Sequence, residues 1–301
     1  MYSRILVPLD GSNLAETVLP VATEMAGYYN ATLVLLNILE KDGSGTIHGQ
    51  RHLSTTGEAC DYLESLAVKL RSQGFKVETE AHEARESDVA RSISEHAREL
   101  KTDLIILCAH GNGGIRDVLI GGMAQQVIQR ETIPVLFIRP EKMGSVPHTS
   151  WKTILVPLDG APMHETVLPH AVAVAQRSGA VLRLLTVVPT ADTLRVKEDA
   201  VRRVLPGSMG VALDYSVEES QQYLQKICTD LSRQKLLASG VVTRGDATTR
   251  ILETITKEHI DLVIMATYGH RNWDAFWEES VTPKVLANSP VPVLFVRETR
   301  E

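Results

Sequence analysis

The chain has 301 residues, 44% hydrophobic and 23% charged, with a formal net charge of -6; the length suggests about two domains, and the balance lacks the basic footprint of a nucleic-acid binder. Three dispersed cysteines, Cys60, Cys108 and Cys228, form no C-x-x-C pair and suit a reducing cytoplasm rather than a disulfide framework. The chain enters a strand at once, with no signal peptide expected, and no apolar run approaches the ~18 residues that would suggest a membrane span.

Arg4 to Asp10 reads RILVPLD, and Thr153 to Asp159 reads TILVPLD. This match indicates an internal duplication, with repeats at 1–140 and 151–301 joined by the Pro/Gly/Ser-containing linker 141–150. The first helices, Asn13–Tyr29 and Pro162–Gln176, both contain ETVLP, so Pro20 and Pro169 predict a shared kink. Strands at Ala31–Glu40 and Ala180–Pro189 follow. Polar or irregular insertions are expected at Lys41–Thr56 and Thr190–Val217, then amphipathic helices at Glu58–Gln73 and Glu218–Lys235. Third strands read FKVETEAH and ASGVVTR, and the next helices span Asp88–Leu100 and Thr248–Glu258. The fourth strands, DLIILCA and DLVIMAT, are unbroken apolar runs of the kind buried on both faces. Each repeat closes on a last helix and a strand, Pro134–Pro140 and Pro292–Glu298. Five strands alternating with helices, twice over, predict two tandem α/β domains with open, mostly parallel five-stranded sheets and helices on both faces. Ligands of such sheets sit at the carboxyl ends of the strands.

Between the fourth strand and last helix of repeat 1 runs IILCAHGNGGIRDVLIGGM, from Ile105 to Met123. Its glycines 111, 113 and 114, then Gly121-Gly122 opening a helix through Ile128, are what backbone amides need to approach an anion closely. The helix start would therefore cradle a phosphate. The same frame in repeat 2 reads VIMATYGHRNWDAFWEESV, with Glu278 and Glu279 at the helix start and bulky Trp273, Phe276 and Trp277 in the loop. There the helix supplies its own anion, and a degenerate phosphate site is expected.

With both strand-1 aspartates and both strand-4 loops in place, the chain resembles the universal stress protein family in its tandem form, over residues 2–140 and 151–298. The resemblance implies an open sheet of strand order 3-2-1-4-5 and, in many members, ATP bound through Gly, two residues, Gly, nine residues, then Gly and Ser/Thr. Those positions are Cys108, Gly111, Gly121 and Gly122 in repeat 1, and Ala266, Gly269, Glu279 and Ser280 in repeat 2. The family's adenosine-contacting aspartate would be Asp10 and Asp159, two residues after Pro8 and Pro157. Apolar contacts to adenine would be Ile38 and Val187 on strand 2, with Leu107 and Met265 on strand 4. Leu9, His110 and Met123 complete the expected site of repeat 1. The glycine that opens the third helix's loop is Gly245 in repeat 2 and Ser87 in repeat 1.

Other readings stay open at this level. Asp10 and Asp159 read as turn residues or as nucleotide contacts before they read as catalytic carboxylates. His110 and His270 have no second ligand at short spacing, so no metal is expected beyond magnesium carried by ATP. Cys108 has no local base signature, and a left-handed backbone there would cost about 1–2 kcal/mol. The leading expectation is a cytoplasmic stress-response or regulatory ATP-binding protein with an unidentified protein partner and at most slow ATP hydrolysis. The alternatives are a scaffolding protein of the same fold and an ATP-using enzyme. The second lacks both the H-x-G-H turn and the S-G-G-x-D-S loop it would need. Pairing of Val135–Ile138 with Val293–Val296 would give an intrachain pseudo-dimer, able to dimerise again as a homodimer.

Overall fold

The computed structural model describes residues 1–39, 46–47, 50–51, 53–84, 88–109, 122–139, 150–190, 192–193, 206–267 and 280–297. They fall into two compact units. The first takes its residues from Met1–Ser150 and from the C-terminal Pro290–Glu301; the second takes them from Trp151–Tyr268 and Asp274–Ser289.

In the first unit, β1 (Arg4–Pro8), β2 (Thr32–Leu39), β5 (Lys76–Glu83), β6 (Leu104–Cys108) and β7 (Val135–Ile138) lie parallel in the order β5-β2-β1-β6-β7. This is the 3-2-1-4-5 arrangement. A small antiparallel pair, β3 (Thr46–Ile47) with β4 (Gln50–Arg51), falls within the expected insertion. β2 is buried from Leu33 to Leu39, as a strand covered on both sides must be. The outer strand β5 instead carries Lys76, Glu78 and Glu80, charges that discourage edge pairing with another chain. Asp103 pins the foot of β1, its carboxylate accepting from the amides of Ser3 (2.7 Å) and Arg4 (3.1 Å).

The second unit repeats the frame. β8 (Thr153–Pro157), β9 (Val181–Val188), β10 (Ala238–Arg244) and β11 (Leu262–Thr267) run in the order β10-β9-β8-β11. Asp261 pins β8 as Asp103 pins β1, accepting from the amides of Lys152 (2.8 Å) and Thr153 (2.9 Å). Tyr2 and Trp151, one residue before each anchored pair, are both buried. The last strand, β12 (Val293–Arg297), sits in the first unit. It pairs antiparallel with β7, with Val293 opposite Phe137 and Phe295 opposite Val135.

The prolines act more sharply than a kink. The first helix stops at Glu16 and a second one, Leu19–Tyr29, begins with Pro20 in its first turn. A proline ring clashes with the carbonyl four residues back, which here is Glu16. In the second unit the same clash falls on Glu165, inside a 3-10 turn (Pro162–Thr166) that precedes the helix Val167–Ser178. A larger departure concerns the second insertion, expected to be irregular up to Val217. The long helix starts at Pro206 and runs to Arg233. Pro206 occupies its first position, where no amide partner is needed.

Phe295 is buried and meets Phe137 with ring centroids 5.6 Å apart. Phe295→Ala is expected to cost about 3–5 kcal/mol, the usual range for a buried aromatic. The loss should be read in the first unit: hydrogen exchange at β7 speeds up while that at β9 does not. Equal acceleration at β9 would contradict the placement of β12.

Candidate functional site

The candidate site lies at the carboxyl ends of β1, β2 and β6. Parallel neighbours in register share a face, and Pro8 pairs with Leu36 while Leu6 pairs with Ile105. Pro8, Ile38 and Leu107 therefore stand on one face of the sheet. Leu9, Asn37 and Cys108 stand on the other, where the Asn37 amide donates from Nδ2 to the Leu9 carbonyl at 2.7 Å. Of the expected contacts, the register brings Pro8, Ile38 and Leu107 together and places Leu9 and Cys108 behind them. The second unit matches: Pro157, Val187 and Met265 share one face, and Ala266 lies on the other.

Cys108 is extended strand, so the left-handed strain considered for it does not arise. Its thiol is buried against the Thr17 hydroxyl, Sγ to Oγ1 3.9 Å. Burial pushes it up to about 12, and the nearby Asp10 charge adds to this against the Thr17 contact. Buried in this way, the thiol is a poor nucleophile.

The turn after β1 is built by Asp10, Gly11 and Ser12. Asp10 Oδ1 accepts from the Ser12 amide at 2.9 Å, and Gly11 takes φ +86° between them. Ser12, fully buried, then caps the first helix by accepting from the Ala15 amide at 3.1 Å. Asp159 and Gly160 (φ +83°) repeat the turn, with Asp159 Oδ1 accepting from the Ala161 amide at 3.0 Å. Alanine at 161 cannot cap, however, and the chain opens as 3-10 with no side-chain cap. Instead buried His164, where repeat 1 has Ala15, donates from Nδ1 to Asp159 Oδ1 at 2.6 Å. Burial acts to raise the Asp159 carboxyl, but the bonds from His164 and the Ala161 amide outweigh it and hold it below its usual range. Sequence reading passed over His164. Its signal was a histidine five residues after the strand-end aspartate, in the copy that lost the capping serine.

A duplicated feature also escaped the sequence reading. Tyr62 and Tyr223, each followed by leucine on the long helix of its half, are raised well above the usual phenol range. Burial is the main cause, followed by Glu16 and Asp10 for Tyr62 and by Glu165 and Asp159 for Tyr223. Each half thus places a phenol by the ETVLP glutamate and within the field of the strand-end aspartate. The turns differ in their cover: a Cβ on Gly11 would stand 2.9 Å from Leu53, whereas nothing lies within 4 Å of one on Gly160.

The last helix of the first repeat starts at Gly122 and runs to Arg130. In the second unit Ser280 precedes the helix Val281–Asn288, with extended backbone and no side-chain cap. His110, Gly111, Gly121, Gly269, Ser87, the pair Glu278-Glu279 and the loop aromatics lie outside the described residues, as does the side chain of Met123. Among the described residues no three His, Cys, Asp or Glu side chains are grouped to hold a metal, and no helix is long and apolar enough to cross a membrane.

The profile of the universal stress protein family matches residues 1–139 and again 150–297. A universal stress protein of Bacillus subtilis is 25% identical over 151 residues, covering 46% of this chain and 100% of its own length. A universal stress protein A homologue of Coxiella burnetii is 29% identical over 145 residues, covering 46% and 96%. Among solved structures, a universal stress protein of Archaeoglobus fulgidus aligns with a TM-score of 0.69 at 15% identity, covering 98% of this chain and 96% of its own. A functionally unknown protein of Pseudomonas aeruginosa also gives 0.69, at 17% identity, covering 99% and 93%. The chain belongs to the universal stress protein family, in tandem form.

Two outcomes follow from the turns. Gly160→Ala is expected to cost about 1–2 kcal/mol for its left-handed backbone, and Gly11→Ala more than that because Leu53 must also move. Denaturant unfolding of the two variants compares them, and an equal cost would contradict the contact. In the second unit, the lowered Asp159 carboxyl contributes stability above its unfolded pKa of about 3.9, lost as pH falls through the folded value. His164→Ala should move the Asp159 carboxyl titration, followed by NMR, upward to a less acidic pH. No movement would show that the His164 bond does not hold it.

Proposed function

We infer that this protein is a cytoplasmic stress-response regulator that binds ATP in its first unit, with the second unit retained as a degenerate copy. The observation that carries this reading is the grouping of Pro8, Ile38 and Leu107 on one face at the carboxyl ends of three neighbouring strands, beside the Asp10 turn. That is where open parallel sheets take ligands. The apolar side chains would meet the base and Asp10 the adenosine. His110, Gly111, Gly121, Gly122 and Met123 would form the phosphate end, at the start of the nine-residue helix Gly122–Arg130, where free amides and the helix dipole favour anions. In the second unit Pro157, Asp159, Val187, Met265, Ala266, Gly269 and Ser280 would be the equivalent positions. Support for its degeneracy comes from Glu279, whose charge would oppose a triphosphate, and from His164, which already binds the Asp159 carboxylate.

No residue is assigned a catalytic role. Regulation by a nucleotide requires that it bind one conformation better than another, and a protein partner would read the difference. Calorimetry and thermal shift with MgATP test the reading on the wild type, Gly121→Glu and Asp10→Ala. One site per chain is expected, adding about 2.7 kcal/mol of stability at a hundred times the dissociation constant, and lost or weakened at least tenfold in both variants. Two sites would mean that Glu279 and His164 do not block the second unit. None would leave a scaffolding protein whose glycines serve packing alone.

A further inference from the structure

Beside the candidate site, the first unit holds two stacked imidazoles for which the frame itself has no use. His82 on β5 stands directly opposite Ile38 on β2 and so shares its face. Its ring lies against that of His96, on the helix Val89–Glu99, with centroids 4.1 Å apart and planes 19° from parallel. His82 Nε2 lies 3.2 Å from the Glu80 carboxylate and His96 Nδ1 3.1 Å from that of Glu99. The duplication supplies the control. Opposite Val187 the second unit has Thr243, and eight residues after the helix-capping Asp246 it has Thr254, where His96 follows Asp88 by the same distance. Two threonines fill the places of two histidines, and the strand and helix form all the same.

We propose that the His82–His96 stack is a proton-operated latch, holding β5 to the helix Val89–Glu99 near neutrality and releasing it in mild acid. Imidazole is the side chain that ordinarily changes charge in this range. With one proton or none the stack closes; with a proton on each ring, two like charges face each other at contact distance. Each of these carboxylates bonds a nitrogen of one ring and supports the charge of that ring alone. Other described charges on and around the helix pair with one another. Arg91 pairs with Glu95 (2.9 Å), Arg98 with Glu131 (3.3 Å), and Arg130 on the helix Gly122–Arg130 with Asp88 (2.8 Å). β2, on which the helix also packs, carries no titratable side chain along TLVLLNIL. Opening separates the two charged rings and relieves their repulsion, so falling pH favours opening. Because His82 neighbours Ile38, opening would loosen the wall of the base-binding face and lower nucleotide affinity. This last consequence rests on the ATP reading above; the latch does not.

The test is hydrogen exchange on the full chain at about pH 7.5 and 5.5, corrected for intrinsic rates, in the wild type and in His82→Thr/His96→Thr. In the wild type, protection of β5 and the helix Val89–Glu99 should fall by about tenfold per proton per pH unit at most. β10 and the helix Ala247–Lys257 serve as the reference and should not follow. The double variant should lose this pH response; if it is already unprotected at the higher pH, His96→Thr alone carries the comparison. Equal protection at both pH values in the wild type, or a response that survives the substitution, overturns the latch. MgATP titrations at the same two pH values form the second arm, with affinity expected to fall several-fold in the wild type and not in the variant. ATP binding at neither pH with a normal exchange response would overturn the nucleotide reading and leave the latch standing. ATP binding with no exchange response would do the reverse.

Discussion

One hydrogen bond sets the geometry on which each half depends. The aspartate that ends the first strand turns its carboxylate back to accept the amide two residues on, around a glycine with positive φ. That bond closes the turn by which the chain leaves the sheet for the following helix, and it holds the strand-end carboxylate in place. The aspartates at the opposite end, Asp103 and Asp261, fix the start of the same strands through two backbone amides each. A strand held at both ends by carboxylates keeps its register, and register puts Pro8, Ile38 and Leu107 on one face. A one-residue slip would reverse it.

Around that common frame the halves have diverged, and the changes compensate locally. Loss of the capping serine at Ala161 accompanies the arrival of His164, which ties the first turn to Asp159 from a different atom. The helix no longer starts as a capped α-turn, yet the strand-end aspartate keeps its place. Leu53 covers the turn in the first unit, and the equivalent turn in the second has no such neighbour at its glycine. Among the described residues, the histidine stack belongs to the first unit, with Thr243 and Thr254 at the equivalent places of the second. Two copies of one fold thus present different chemistry at equivalent carboxyl edges, as expected when packing constrains the frame more tightly than it constrains the site.

Much of the frame was legible in the sequence because it rests on patterns of buried residues. The repeated ILVPLDG, the unbroken apolar fourth strands and the paired ETVLP segments each correspond to a strand or helix in both halves. What was not legible depends on contacts between distant residues or on competing local preferences. The Pro206–Arg233 helix was expected only from Glu218, since the stretch up to Val217 reads as an irregular insertion and helix propensity is a weak prior against packing. Pro20 read as a kink, whereas the clash with Glu16 ends one helix outright and the next starts with the proline in its first turn. Cys108 stood in a family glycine position and suggested strain, but its backbone is ordinary strand. At the strand ends, the aspartate turns and the apolar strand positions could be read from the motif. His164, the tyrosine pair and the histidine stack could not, since each gains its meaning from a partner on another element or a turn away.

The central claim is that one frame, present twice, offers a nucleotide site once. Methyl NMR of the full chain during addition of MgATP tests it most directly, because equivalent side chains in the two halves report separately. The account predicts that Ile38 and Leu107 shift and saturate together while Val187 and Met265 stay in place. Parallel shifts at Val187 and Met265, or no shift at Ile38 and Leu107, would contradict it.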